Sequence, residues 1–161
     1  MNTNIVYYSM GGNTAWAAER IAAATGAGLL RIEPVKQYPD KGFRKFMWGG
    51  QAALMAAKPA LKPYAFDADK ADRIIFGFPV WAGTITPPIR SFIEKEKAKL
   101  QGKEIAAYAC QGGSGAEKAF QKLKQCLGVS ALSEELILID PKDRPDPANE
   151  EKLKEFCERL K

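Results

Sequence analysis

Apolar positions along this chain fall into two rhythms. Five short runs, at residues 4–8, 29–33, 73–78, 104–110 and 132–139, are rich in Ile, Val, Leu, Phe, Tyr and Ala. Several are continuous, as strands buried on both faces require. Between them the apolar residues recur at three and four. One helix is expected from near Thr14 to Thr25-Gly26, where glycine takes the left-handed cap conformation. A second opens at Thr86-Pro87, read as an N-cap with proline at the first helical position, and carries Ile89, Phe92, Ile93 and Leu100. A third follows Ser114-Gly115-Ala116-Glu117, read as a capping box, and sets Ala116, Ala119, Phe120, Leu123 and Leu127 on one face before Gly128. The last starts near Asp146-Pro147 and buries Leu153, Phe156, Cys157 and Leu160.

Strands alternating with helices predict parallel strands joined by right-handed crossovers. The expected fold class is therefore α/β, a doubly wound three-layer sandwich on five strands. The segment 35–69 is longer than an ordinary connection and contains Phe43-Arg44-Lys45-Phe46-Met47-Trp48. A helix over 43–57 is expected there, weakened by Gly49-Gly50.

Composition narrows the function. With 161 residues and 46% hydrophobic content, the chain is expected to form a single domain over 1–161. Its apolar runs are too short for a membrane span and its start lacks a secretory layout, so a soluble, cytoplasmic protein is expected. Cys110, Cys126 and Cys157 form no C-x-x-C pair, which predicts reduced thiols. Histidine is absent, which excludes Ser-His and Cys-His nucleophiles and His-ligated metal or haem. No catalytic side chain and no metal are expected, and the chemistry must come from something bound. The net charge of +5 is spread among acids, as in Glu94-Lys95-Glu96-Lys97, so neither nucleic acid nor a membrane is an expected partner.

Three strand ends concentrate the candidate chemistry. After the first strand, Ser9-Met10-Gly11-Gly12-Asn13-Thr14 places backbone N–H groups at a helix start, a nest for a phosphate with no Lys or Arg in the loop itself. It matches neither the P-loop nor the dinucleotide fingerprint, so ATP and NAD are poor candidates for this loop. The third strand ends in Gly77-Phe78-Pro79-Val80-Trp81-Ala82-Gly83-Thr84 and the fourth in Cys110-Gln111-Gly112-Gly113-Ser114-Gly115. Both lie where doubly wound folds bind ligands. Trp81 offers a flat apolar face and the glycines offer backbone donors, a set suited to a planar heteroaromatic ring tethered to a phosphate.

These loops resemble those of the flavodoxin-like family, whose cofactor is FMN. Residues 9–14 are similar to the family's phosphate loop, Ser/Thr-x-Thr-Gly-x-Thr, with Gly11 in place of a threonine. That departure removes one hydroxyl donor and implies weaker phosphate binding, not its loss. Residues 77–87 and 111–115 resemble the second and third flavin loops of a bacterial flavodoxin subgroup, and 38–63 resembles its insertion. The resemblance covers nearly the whole chain. It implies strand order 2-1-3-4-5 and one noncovalent FMN.

On that resemblance Ser9, Gly11, Gly12, Asn13 and Thr14 hold the phosphate. Pro79, Val80, Trp81, Ala82, Gly83 and Thr84 flank the ring, with Trp81 stacked on it and a carbonyl near Ala82-Gly83 accepting from reduced N5. Gln111, Gly112, Gly113, Ser114 and Gly115 donate to the pyrimidine carbonyls, and Cys110 starts that loop, packing as a small apolar group. The expected function is flavodoxin-type electron transfer, with a redox protein or a small molecule as partner. Two alternatives stand beside it: an NAD(P)H-dependent reductase of quinones or other small acceptors, and a noncatalytic flavin-binding module.

Overall fold

The computed structural model describes residues 1–38 and 57–161. The helix expected over 43–57, with Phe43, Phe46 and Trp48, lies outside the described residues save for Ala57. Five strands, β1 (Thr3–Tyr7), β2 (Gly28–Arg31), β3 (Arg73–Pro79), β4 (Glu104–Gln111) and β5 (Glu135–Ile139), make one sheet. Every pairing is parallel and the order is β2-β1-β3-β4-β5. Among the described residues four α-helices flank it: α1 (Asn13–Thr25), α2 (Pro87–Glu96), α3 (Ala116–Leu127) and α4 (Pro147–Arg159).

Strict alternation along the strands divides the core in two. Ile74, Phe76 and Phe78 of β3, with Ile105, Ala107 and Ala109 of β4, face Ile89, Phe92 and Ile93 of α2 and Phe120 and Leu123 of α3. Ile75 of β3, with Ala106, Tyr108 and Cys110 of β4, faces Ala17, Ala18 and Ile21 of α1 and Leu153 and Phe156 of α4. Thus α1 and α4 share one side of the sheet, and all five strands end at the same edge. This places the loops that follow β1, β3, β4 and β5 side by side.

Helix ends follow local chemistry, with two departures. Gly26 at φ 75° closes α1 by donating to Ala22 O at 2.8 Å, and the Asp146 carboxylate caps α4 by accepting from Ala148 N at 2.8 Å. Thr86 precedes Pro87 as expected, but its hydroxyl is buried and makes no hydrogen bond. The capping box expected at Ser114 does not form. The N-cap of α3 is Gly115 at φ 105°, and Gln111 Oε1, reaching from the end of β4, accepts from Ala116 N at 3.0 Å. The last strand also begins later than its apolar run. Ser133 gives both its N–H (2.7 Å) and its hydroxyl (3.2 Å) to Ile105 O, which bends the chain before the ladder starts at Glu135.

Among the described residues, no helix is long and apolar enough to cross a membrane. The described residues also hold no cluster of three His, Cys, Asp or Glu suited to a metal.

Candidate functional site

The β1–α1 loop turns through two left-handed glycines, Gly11 at φ 83° and Gly12 at φ 97°. Ser9 Oγ accepts from Ala15 N at 3.1 Å and Gly12 O accepts from Trp16 N at 2.9 Å, which fix the first turn of α1. The backbone N–H groups of Gly11, Gly12, Asn13 and Thr14 find no acceptor among the described residues. Such orphan donors at the positive end of a helix form an anion site. Thr14 is 1% exposed, and its hydroxyl makes no hydrogen bond of acceptable geometry. Its carbonyl is held from below by Tyr108 Oη, which donates at 2.9 Å.

After β3 the chain makes a tight turn. Trp81 and Thr84 pair across it (Thr84 N to Trp81 O, 3.1 Å), and the two central residues, Ala82 at φ 51° and Gly83 at φ 69°, are both left-handed. Positive φ at both centres is the primed hairpin geometry. Ala82 carries the strain that a Cβ meets there. The loop after β4 packs directly on this turn. Val80 N donates to Cys110 O at 2.9 Å, and a Cβ on Gly115 would lie 3.0 Å from the Gly83 Cα, so Gly115 needs a bare backbone.

These loops enclose a cleft of 160 Å³. Of the expected site residues, Asn13, Pro79, Val80, Trp81, Ala82, Cys110 and Gly112 line it, together with Met10, Asp140 and Asp143. Ser9, Gly11, Gly12 and Thr14 lie in the β1–α1 loop and first turn beside it, while Gly112 is exposed at the cleft and Gly113 and Ser114 are exposed outside its lining. Gln111 and Thr84 are not in the lining. Both are buried, Gln111 capping α3 and Thr84 within 3.4 Å of the Arg90 guanidinium.

Trp81 is 8% exposed. Its ring stands edge-on to Tyr8 (5.7 Å) and to Tyr38 (5.5 Å), so it joins the core cluster as well as the cleft wall. Burial pushes the Cys110 thiol up to about 12. The nearby Thr14 hydroxyl opposes that rise and the Asp140 charge adds to it. Cys110 is therefore a packed thiol, as its sequence context implies. Burial likewise raises Tyr8 and Tyr108.

The structure adds a fourth segment that sequence spacing did not reveal. Residues 140–146, between β5 and α4, are bound to two of the three loops. Asn13 Oδ1 accepts from Lys142 N (2.8 Å) and Asp143 N (3.2 Å), and Asn13 Nδ2 donates to Asp143 Oδ2 at 3.0 Å. Arg144 donates to Gly112 O (2.7 Å) and to Asp140 Oδ2 (2.7 Å). Cations consequently stand at the β1–α1 loop although the loop contains none. Lys142 lies against Gly12, and Arg31 donates to Ser9 O at 3.2 Å. The signal was topological. With α1 and α4 on one face, the loops that lead into them must be neighbours.

A five-stranded parallel sheet in this order, with its candidate site at the strand carboxyl ends, defines a flavodoxin-like α/β fold. The chain belongs to the flavodoxin family, whose profile matches residues 2–158. It is similar to a candidate flavoprotein from Bacteroides eggerthii at 25% identity and TM-score 0.74, over 96% of this chain and 97% of that one. A flavoprotein from Lactobacillus acidophilus, solved in complex with FMN, shares the fold at 20% identity and TM-score 0.70, over 88% and 95% of the two chains. So does the two-electron reduced flavodoxin of Megasphaera elsdenii, at 21% identity and TM-score 0.57, over 98% and 96%. No curated protein matched the sequence.

Proposed function

We propose that this chain binds one FMN noncovalently and acts as a flavodoxin-type electron carrier in the cytoplasm. The observation that carries the reading is the row of orphan N–H groups from Gly11 to Thr14, set beside a cleft that opens between the β3 and β4 loops. The residues fit the group. The nest suits an oxyanion, and Met10, Pro79, Val80 and Trp81 give the cleft its apolar side opposite the polar Asn13, Asp140 and Asp143. Its volume falls below the roughly 300 Å³ of a full ligand pocket, so part of a bound ring would rest on the exposed rim at Ala82 and Gly112.

Bound FMN supplies one- or two-electron redox chemistry. The chain supplies position and field. Gly11 to Thr14 would hold the phosphate through their backbone N–H groups, and Trp81, set edge-on to two tyrosines, forms one cleft wall. Gly83, at the second centre of the turn with φ 69°, has the backbone freedom by which its peptide would present a carbonyl to the bound ring. Cys110, held as a thiol, adds no charge to the cleft.

One observation favours a second reading, an NAD(P)H-dependent reductase of small acceptors. The chain carries a net charge of +5, whereas a carrier docking on basic partners is better served by an acidic surface. A reductive titration separates the two. A carrier predicts two resolved one-electron steps with dithionite and slow oxidation of NADPH. A single two-electron step with rapid NADPH oxidation would replace the carrier with the reductase.

A further inference from the structure

Lys142 is the feature that the three-loop account leaves unused. Its backbone N–H is held by Asn13 Oδ1 at 2.8 Å, which fixes where the side chain begins. From there the side chain runs over the N-cap of α1. A Cβ on Gly12 would lie 2.7 Å from Lys142 Nζ and 3.1 Å from its Cδ, so the ammonium occupies the space that glycine leaves open. Lys142 has no carboxylate at ion-pair distance among the described residues. Beside it lie the unused N–H groups of Gly11 to Thr14 and the buried Thr14 hydroxyl, which makes no hydrogen bond of acceptable geometry and has the Cys110 thiol as its neighbour, while Gly11 itself brings no side-chain donor.

The other charges nearby are already engaged. Arg31 pairs with Glu33 at 3.4 Å and donates to Ser9 O, and Asp140 is held by Arg144 at 2.7 Å. Asp143 is the remaining acid, and its Oδ2 accepts from Asn13 Nδ2. Lys142 and Asp143 therefore set the local charge between them, with opposite signs.

We propose that Lys142 is a cationic ligand of the FMN phosphate and that this site selects the phosphorylated flavin by charge. The inference rests on the FMN reading above. An ammonium added to a helix N-terminus gives a phosphate dianion a charge-assisted partner that dipoles alone do not supply. Riboflavin, which has the same ring and no phosphate, gains nothing from it. The Gly12 position serves two ends: it adopts φ 97°, and it leaves room for the lysine tail.

The test titrates the full-length apoprotein with FMN and with riboflavin by calorimetry, at about 20 mM and about 500 mM salt. Lys142→Gln is expected to weaken FMN about tenfold at low salt, leave riboflavin unchanged and flatten the salt dependence seen in the wild type. Lys142→Arg restores most of the affinity. Asp143→Asn, which keeps an acceptor for Asn13, tightens FMN. A wild type that binds FMN, with Lys142→Gln binding it equally well, overturns the proposal and leaves the FMN reading intact. Equal losses for FMN and riboflavin overturn it too, since a structural defect spares neither. A wild type that binds neither flavin overturns both.

Discussion

Gly77 shows how one missing side chain reaches the site. It stands opposite Tyr108 in the β3–β4 register, and a Cβ there would overlap the Tyr108 ring and hydroxyl. That hydroxyl donates to the Thr14 carbonyl at the start of α1, beneath the row of orphan N–H groups. Gly77→Ala is expected to lower stability by about 1–3 kcal/mol and to weaken FMN as well, because Tyr108 must move off Thr14. Urea unfolding and FMN titration of the variant check both, and an unchanged midpoint would contradict the packing argument. In the sequence Gly77 reads as the end of the third strand and the start of the loop that follows it. Its cause lies across the ladder, in a residue that spacing along the chain does not identify. Trp81 was legible as an aromatic at the right strand end, but the tyrosines that turn its ring edge-on belong to other segments.

Among the elements, the two apolar rhythms carried nearly everything that depends on one stretch of chain. The continuous run 73–78 marked a strand buried on both faces, and the structure divides it, with Ile74, Phe76 and Phe78 on one side and Ile75 on the other; the three-and-four spacing placed Phe120 and Leu123 inward. What escaped was capping and tethering between elements. Ser114 heads a local pattern that predicts a capping box, yet Gln111 arrives from the strand before it and takes that role. Asn13 reads as a phosphate donor, whereas its side chain is spent on the β5–α4 segment. Asn13→Ala removes all three of those hydrogen bonds. It is expected to lower the stability of the apoprotein by about 1–2 kcal/mol and to weaken FMN several-fold, since Lys142 and Asp143 lose their anchor. Retained affinity with lost stability would show that the tether serves the fold alone.

For the molecule as a whole, the buried titratable groups fix the alkaline limit. Burial holds Cys110 near 12 instead of its usual 9.0, and raises Tyr108 and Tyr8 in the same direction. The unfolded chain therefore releases these protons first. Stability is full below about pH 9 and is lost as pH rises toward 12. Urea midpoints measured from pH 8 to pH 11 should fall at the upper end, and a flat profile would contradict the buried thiol. Five parallel strands were legible in the sequence from the alternation of elements, but their order came from the family resemblance. Parallel pairing brings the loops after the strands to one edge, and the order sets the β1, β3, β4 and β5 loops along it in succession, with Lys142 of the β5 loop against Gly12 of a first loop that has no cation of its own. The central claim, that this edge holds FMN, is tested most directly by titrating the purified apoprotein with FMN while following flavin fluorescence. The account predicts quenching that saturates at one FMN per chain with micromolar or tighter affinity. Fluorescence that stays that of free FMN throughout the titration would contradict it.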